Sequence, residues 1–128
     1  MIMITGGLSQ GKLKVAAALL QKELQTADCA CGDQDGCEDM FGKQVIYGFH
    51  HYIRRMQRDG MDWEYYVERI LHECRDSVVI LDEVGCGIVP MGRDEREYRE
   101  TVGLAGQRLA AGADHVYRVI CGIGTRIK

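Results

Sequence analysis

Apolar and polar positions alternate along the chain with two distinct periods. Residues 1–4 are a short apolar run that stops at a glycine-rich turn. From residue 12 to about 25, Val15, Ala16, Leu19, Leu20 and Leu24 recur at helical spacing, which predicts a helix with one apolar face. Residues 44–47 fit a short strand, and the segment after Gly48 turns into a helix that stops near Gly60. Trp63, Tyr66, Val67, Ile70, Leu71 and Cys74 then follow the i, i+3, i+4, i+7 pattern. With Asp62 as N-cap and Glu64 in the first turn, they predict an amphipathic helix ending near Arg75.

Val78-Val79-Ile80-Leu81 has no polar break, as expected of a central parallel strand buried on both faces. A glycine-punctuated loop over 84–90 contains the only proline. The next predicted helix covers 94–111, with Tyr98, Val102, Ala105 and Leu109 inward and Gly112 at its stop. Residues 115–121 and a short segment ending at Lys128 read as the last two strands. The order β-loop-α, β-α-α, β-loop-α, β-β predicts a three-layer α/β domain, P-loop NTPase-like, with a mostly parallel central sheet.

Residues 26–42 show neither period. They hold three glycines, five acidic residues and three cysteines. Cys29, Cys31 and Cys37 lack the paired spacing and histidines of a zinc site. Asp33-Gln34-Asp35-Gly36 brings its glycine too early for a calcium loop, and no glutamate closes it. An acidic, solvated loop is the expectation.

Composition narrows the class. The 128 residues, 46% hydrophobic and 27% charged, suit one globular domain over 1–128. A net charge of −3 argues against a nucleic-acid surface. No apolar run approaches the ~20 residues that cross a bilayer, and residues 1–4 are too short for a signal-peptide core. The six cysteines are then expected as reduced thiols in a cytoplasmic protein, with Cys74, Cys86 and Cys121 acting as small hydrophobes.

The turn after the first strand carries the chemistry. Gly6-Gly7-Leu8-Ser9-Gln10-Gly11-Lys12-Leu13 fits the G-x-x-x-x-G-K of a phosphate-binding loop. Glycines let backbone N–H groups face a phosphate chain, and Lys12 reaches its terminal phosphates. The following helix adds partial positive charge. The usual Ser or Thr that ligates magnesium is replaced by Leu13. Asp82 and Glu83, at the end of the buried strand, occupy the place of acids that hold Mg2+ directly or through water, Asp82 more than Glu83. His50 and His51 follow a strand end, where open α/β sheets bind ligands. The competing reading packs one against the sheet and leaves the other solvated.

Asp82-Glu83-Val84-Gly85-Cys86-Gly87-Ile88-Val89-Pro90 resembles the N-E-V-G-x-G-I-V-P block of the bifunctional adenosylcobinamide kinase/adenosylcobinamide-phosphate guanylyltransferase family. Arg96-Glu97-Tyr98-Arg99, Ala113-Asp114-His115-Val116 and the closing Gly122 to Ile127-Lys128 match that family's later motifs, behind its T-G-G-x-x-x-G-K at Thr5 to Lys12. The resemblance covers about 1–20 and 78–128; the middle matches poorly. It implies a P-loop fold, a homo-oligomer (a trimer in the family), and two steps on a corrinoid. ATP or GTP phosphorylates adenosylcobinamide, and GMP is then transferred through a histidine-linked intermediate.

The chain departs from the pattern in three places. Leu13 replaces the hydroxyl residue, and Asp82 stands where the family has Asn. The segment bearing R-H-x-x-x-R-P-x-x-W, with the GMP-accepting histidine, is absent. The strand that in the family ends D-C-L-T appears here as Val45-Ile46-Tyr47-Gly48-Phe49-His50. The expectation is a shortened relative in which Lys12 serves the kinase step and His50 or His51 stands in as nucleophile. Two alternatives stand beside it: a nucleotide-binding accessory protein of the same pathway without turnover, and a small P-loop kinase for another substrate.

Overall fold

The computed structural model describes residues 1–85, 87 and 91–128. Its elements are β1 (Ile2–Gly6), α1 (Lys12–Leu20), β2 (Cys29–Cys31), β3 (Val45–Tyr47), α2 (Phe49–Arg58) and α3 (Trp63–Glu73). There follow β4 (Val78–Asp82), α4 (Arg93–Gly112), β5 (His115–Ile120) and β6 (Ile123–Arg126). The strands form one sheet in the order β2-β3-β4-β1-β5-β6, parallel except for the final β5–β6 hairpin.

Strand periodicity divides the core between the two faces of this sheet. Met3, Ile46, Val79, Leu81 and Val116 pack under α2, α3 and α4. Ile4, Val45, Val78, Ile80 and Val119 pack on the opposite face with Ala16 of α1. All five residues of β4 are buried, which is why its sequence has no alternation.

The helices follow their apolar stripes. On α3, Tyr66, Val67 and Ile70 are buried, while Trp63 and Leu71 are half-buried at the margin of the cluster. The Asp62 carboxylate accepts hydrogen bonds from the N–H groups of Glu64 and Tyr65 at 3.0 and 3.3 Å, as an N-cap should. On α4 the four expected inward positions, Tyr98, Val102, Ala105 and Leu109, are buried.

Three expectations need correction. The first helix ends at Leu20 rather than near 25, because Gln21 turns to φ 53° and its N–H and that of Lys22 close back on Ala18 and Ala17 carbonyls. Leu24 nevertheless packs against the α1-side core. The acidic segment contains an unforeseen edge strand, β2, held in parallel register by β3 (Cys29↔Val45, Cys31↔Tyr47). Cys121 is exposed in the β5–β6 turn rather than serving the core, whereas Cys74 is buried. Of the expected 84–90 loop, Cys86, Ile88, Val89 and Pro90 lie outside the described residues.

Candidate functional site

β1 lies between β4 and β5, so the glycine turn emerges at the C-terminal edge of the sheet with a strand on either side. Gly6 has φ +154°, and a Cβ there would meet the Val119 carbonyl oxygen at 2.5 Å; no larger residue fits. Gln10 fastens the loop's far side. Its backbone carbonyl accepts the Gly122 N–H at 2.8 Å and its Oε1 accepts the Cys121 N–H at 2.7 Å. Ser9 (φ 58°) and Gly11 (φ 91°) are left-handed, and Gly11 is the N-cap of α1.

This conformation leaves donors uncommitted. Among the described residues, none accepts a hydrogen bond from the backbone N–H of Leu8, Ser9, Gly11, Lys12 or Leu13. Such a run of free N–H groups at a helix N-terminus is an anion site in waiting.

Lys12 opens α1 yet is only 4% exposed. Its Nζ donates to the Gly7 carbonyl and forms an ion pair with Asp82 Oδ1 at 2.8 Å. Asp82 ends β4 beside Gly6, to which it is paired in the sheet. The lysine of the loop and the acid of the buried strand, expected from sequence at the terminal phosphates and at magnesium, are therefore in contact. Leu13 is 39% exposed; it lines, with Ser9, Gln10, Gly11, Lys12, Lys14 and Tyr47, a cavity of about 260 Å³.

The adjacent carboxylate has a partner of its own. Glu83 Oε1 and Oε2 receive the Arg118 guanidinium from β5 at 2.8 and 3.1 Å, and the Glu83 N–H donates to the Gly6 carbonyl at 3.0 Å. Glu83 thus ties β4 to β5 across the loop's base. Among the described residues no group of three or more His, Cys, Asp or Glu side chains could hold a metal ion. A single carboxylate at a phosphate loop suits a cation that keeps its waters and is carried mostly by phosphates, as Mg2+ is.

The two histidines separate. His50 is buried, and its Nδ1 accepts the Asp82 N–H at 3.4 Å while Nε2 lies 3.9 Å from Asp82 Oδ2. The Tyr98 hydroxyl donates to the His50 carbonyl at 3.1 Å. Burial, reinforced by the neighbouring His51, pushes the His50 imidazole down to about 4, against the pull of Asp82. His51 is exposed, its ring 4.0 Å from that of His50. One histidine packed and one solvated is the arrangement that the competing sequence reading described.

Sequence reasoning passed over Tyr47 and Arg118. Tyr47 ends β3 immediately before Gly48, a strand-end position that could have marked it; nothing in the sequence pairs Arg118 with Glu83.

The family model described as cobinamide kinase / cobinamide phosphate guanyltransferase (CobU) matches residues 48–127. That match takes in α2 and α3, which the motif comparison had left as poorly matching. The glycine loop lies outside it. The bifunctional adenosylcobalamin biosynthesis protein CobU of Salmonella typhimurium (strain LT2) is 51% identical over 51 residues, 40% of this chain and 28% of that protein. The protein of the same name from Escherichia coli (strain K12) is 33% identical over 84 residues, 56% of this chain and 46% of that protein. The chain spans less than half the length of these relatives. With the family's pattern running from α2 through β6 and Asp82 set against the phosphate loop, the chain belongs to the cobinamide kinase / cobinamide phosphate guanyltransferase family.

Proposed function

We propose that this chain binds ATP or GTP at residues 6–13 and phosphorylates a cobinamide-type corrinoid, adenosylcobinamide by resemblance. The observation that carries this reading is the Lys12–Asp82 pair at 2.8 Å beside a loop of uncommitted N–H groups. The N–H groups of Leu8, Ser9, Gly11, Lys12 and Leu13 receive phosphate oxygens. Lys12 exchanges the Gly7 carbonyl and Asp82 for the terminal phosphates, where its charge stabilises the transferred phosphoryl group. Asp82, freed of Lys12, holds the magnesium side of the nucleotide. Bound Mg2+ supplies neutralising charge across the phosphates. Glu83 serves beside it by keeping the loop's base rigid through Arg118.

For guanylyl transfer, His51 is the candidate acceptor. It is solvent-facing, whereas both ring nitrogens of His50 are turned to Asp82. A homo-oligomer is proposed from the resemblance, and the exposed Ile120, Ile123 and Ile127 at the β5–β6 edge supply apolar surface for it. No helix among the described residues is long and apolar enough to cross a membrane. The binding-only alternative has two observations in its favour, the absence of a hydroxyl at Leu13 and the absence of the family's histidine-bearing motif.

Incubation with adenosylcobinamide, magnesium and ATP or GTP, followed by mass spectrometry, decides between them. Phosphorylated corrinoid is expected, and Lys12→Ala lowers its rate by about 10²–10³-fold. Folded protein that binds nucleotide but forms no product would establish the accessory role.

A further inference from the structure

Leu13 leaves the phosphate loop without the hydroxyl that usually attends the nucleotide's metal. The same cavity contains another hydroxyl. Tyr47, the last residue of β3, lines it together with residues 9–14 of the loop and α1. Its ring packs half-buried against the core on the α1 face, which fixes the direction of approach. The phenolic oxygen has no hydrogen-bond partner among the described residues.

Two further features suit this oxygen to a metal-nucleotide. Burial and the negative charge of Asp82 both push the Tyr47 phenol upward, so it stays a neutral donor at physiological pH. The aliphatic Leu13 side chain lines the same space and competes for no polar contact. A cation that keeps several waters leaves them needing acceptors and donors from the protein, and a phenol is both.

We propose that the Tyr47 hydroxyl stands in for the hydroxyl missing at Leu13, hydrogen-bonding the water shell and phosphate oxygens of the bound magnesium nucleotide from the β3 side. Tyr47 is thus a positioning residue for the nucleotide, supplied by the neighbouring strand instead of the loop. This inference rests on the nucleotide-binding reading of residues 6–13.

The test is titration of a fluorescent ATP or GTP analogue into the full chain, with magnesium and again with excess chelator. Native protein is expected to bind more tightly with magnesium. Tyr47→Phe, which keeps the ring and its packing, should lose about tenfold of that magnesium-dependent gain and retain the chelator value. Adding Leu13→Thr to Tyr47→Phe should restore the gain, and Leu13→Thr alone should add little. Equal weakening in both conditions, or an unchanged magnesium gain, would overturn the role of Tyr47 while leaving nucleotide binding intact. No binding by folded native protein would overturn both readings together.

Discussion

A wide cavity beside the edge strand β2 and the phosphate loop teach opposite lessons about what marks a site. The cavity beside β2, about 630 Å³ and lined by residues including Cys29, Cys31, Asp35, Glu38 and Lys43, is more than twice the volume of the one at the loop. Its acidic groups are already engaged. Asp35 accepts the Cys31 N–H at 2.6 Å, Asp39 accepts the Gly36 N–H at 2.8 Å, and Glu38 pairs with Arg69 at 2.9 Å. Burial, with a hydrogen bond to Asp33, pushes the Cys31 thiol up to about 11, far from a reactive thiolate. At the loop the space is smaller, but the backbone N–H groups of Leu8, Ser9, Gly11, Lys12 and Leu13 have no acceptor among the described residues, and a lysine and a carboxylate neutralise each other out of water. Uncommitted groups, more than volume, indicate where a ligand completes the structure.

Three substitutions probe this contrast, in falling order of effect. Gly6→Val should be the most damaging, because its Cβ would sit 2.5 Å from the Val119 carbonyl in a backbone conformation closed to branched residues. Destabilisation of about 1–3 kcal/mol is expected. Nucleotide affinity should fall further than stability; urea denaturation and nucleotide titration on the same sample read the two.

The second concerns acid. His50 is held neutral down to about 4 against an ordinary 6.5, so between those values the unfolded chain binds a proton that the folded chain does not. More protons on the unfolded state means that stability rises with pH across this window and is lost as pH falls through it. His50→Gln should flatten that slope in urea midpoints recorded from neutral pH down to about pH 4.5. An unchanged slope would place the acid sensitivity elsewhere. The smallest effect belongs to the larger cavity. Glu38→Ala removes exposed contacts to Arg69 and the Tyr66 hydroxyl, and should leave nucleotide affinity where it was. A loss of affinity there would undo the contrast.

What could be read in advance followed physical range. The apolar run of β4, the stripe of α3 and the four inward residues of α4 are local patterns repeated over several turns, and the structure follows them. β2 was invisible because three residues between acidic turns bear no periodicity; only its pairing with β3 makes it a strand. The end of α1 was misjudged because Gln21 adopts a left-handed cap normally signalled by glycine. At the site, the loop and Asp82 were visible as motifs. The His50–Asp82 contact and the Arg118–Glu83 clamp join residues more than thirty positions apart, and no single-sequence pattern encodes such pairs.

The central position of β1 has a consequence for how the protein comes to be folded. Ile2 pairs with Val78 on one side and with His115 on the other, and the loop that follows β1 is pinned at Gln10 by the β5–β6 turn. Both strands that flank β1, and the turn that pins Gln10, therefore come from the second half of the chain. Such high contact order places loop closure ahead of any reward and makes folding slow. A nascent chain that has made α1, α2 and α3 still lacks both flanks of the loop. Any ligand that needs the complete loop would therefore stabilise only chains in which the second half has already paired with β1.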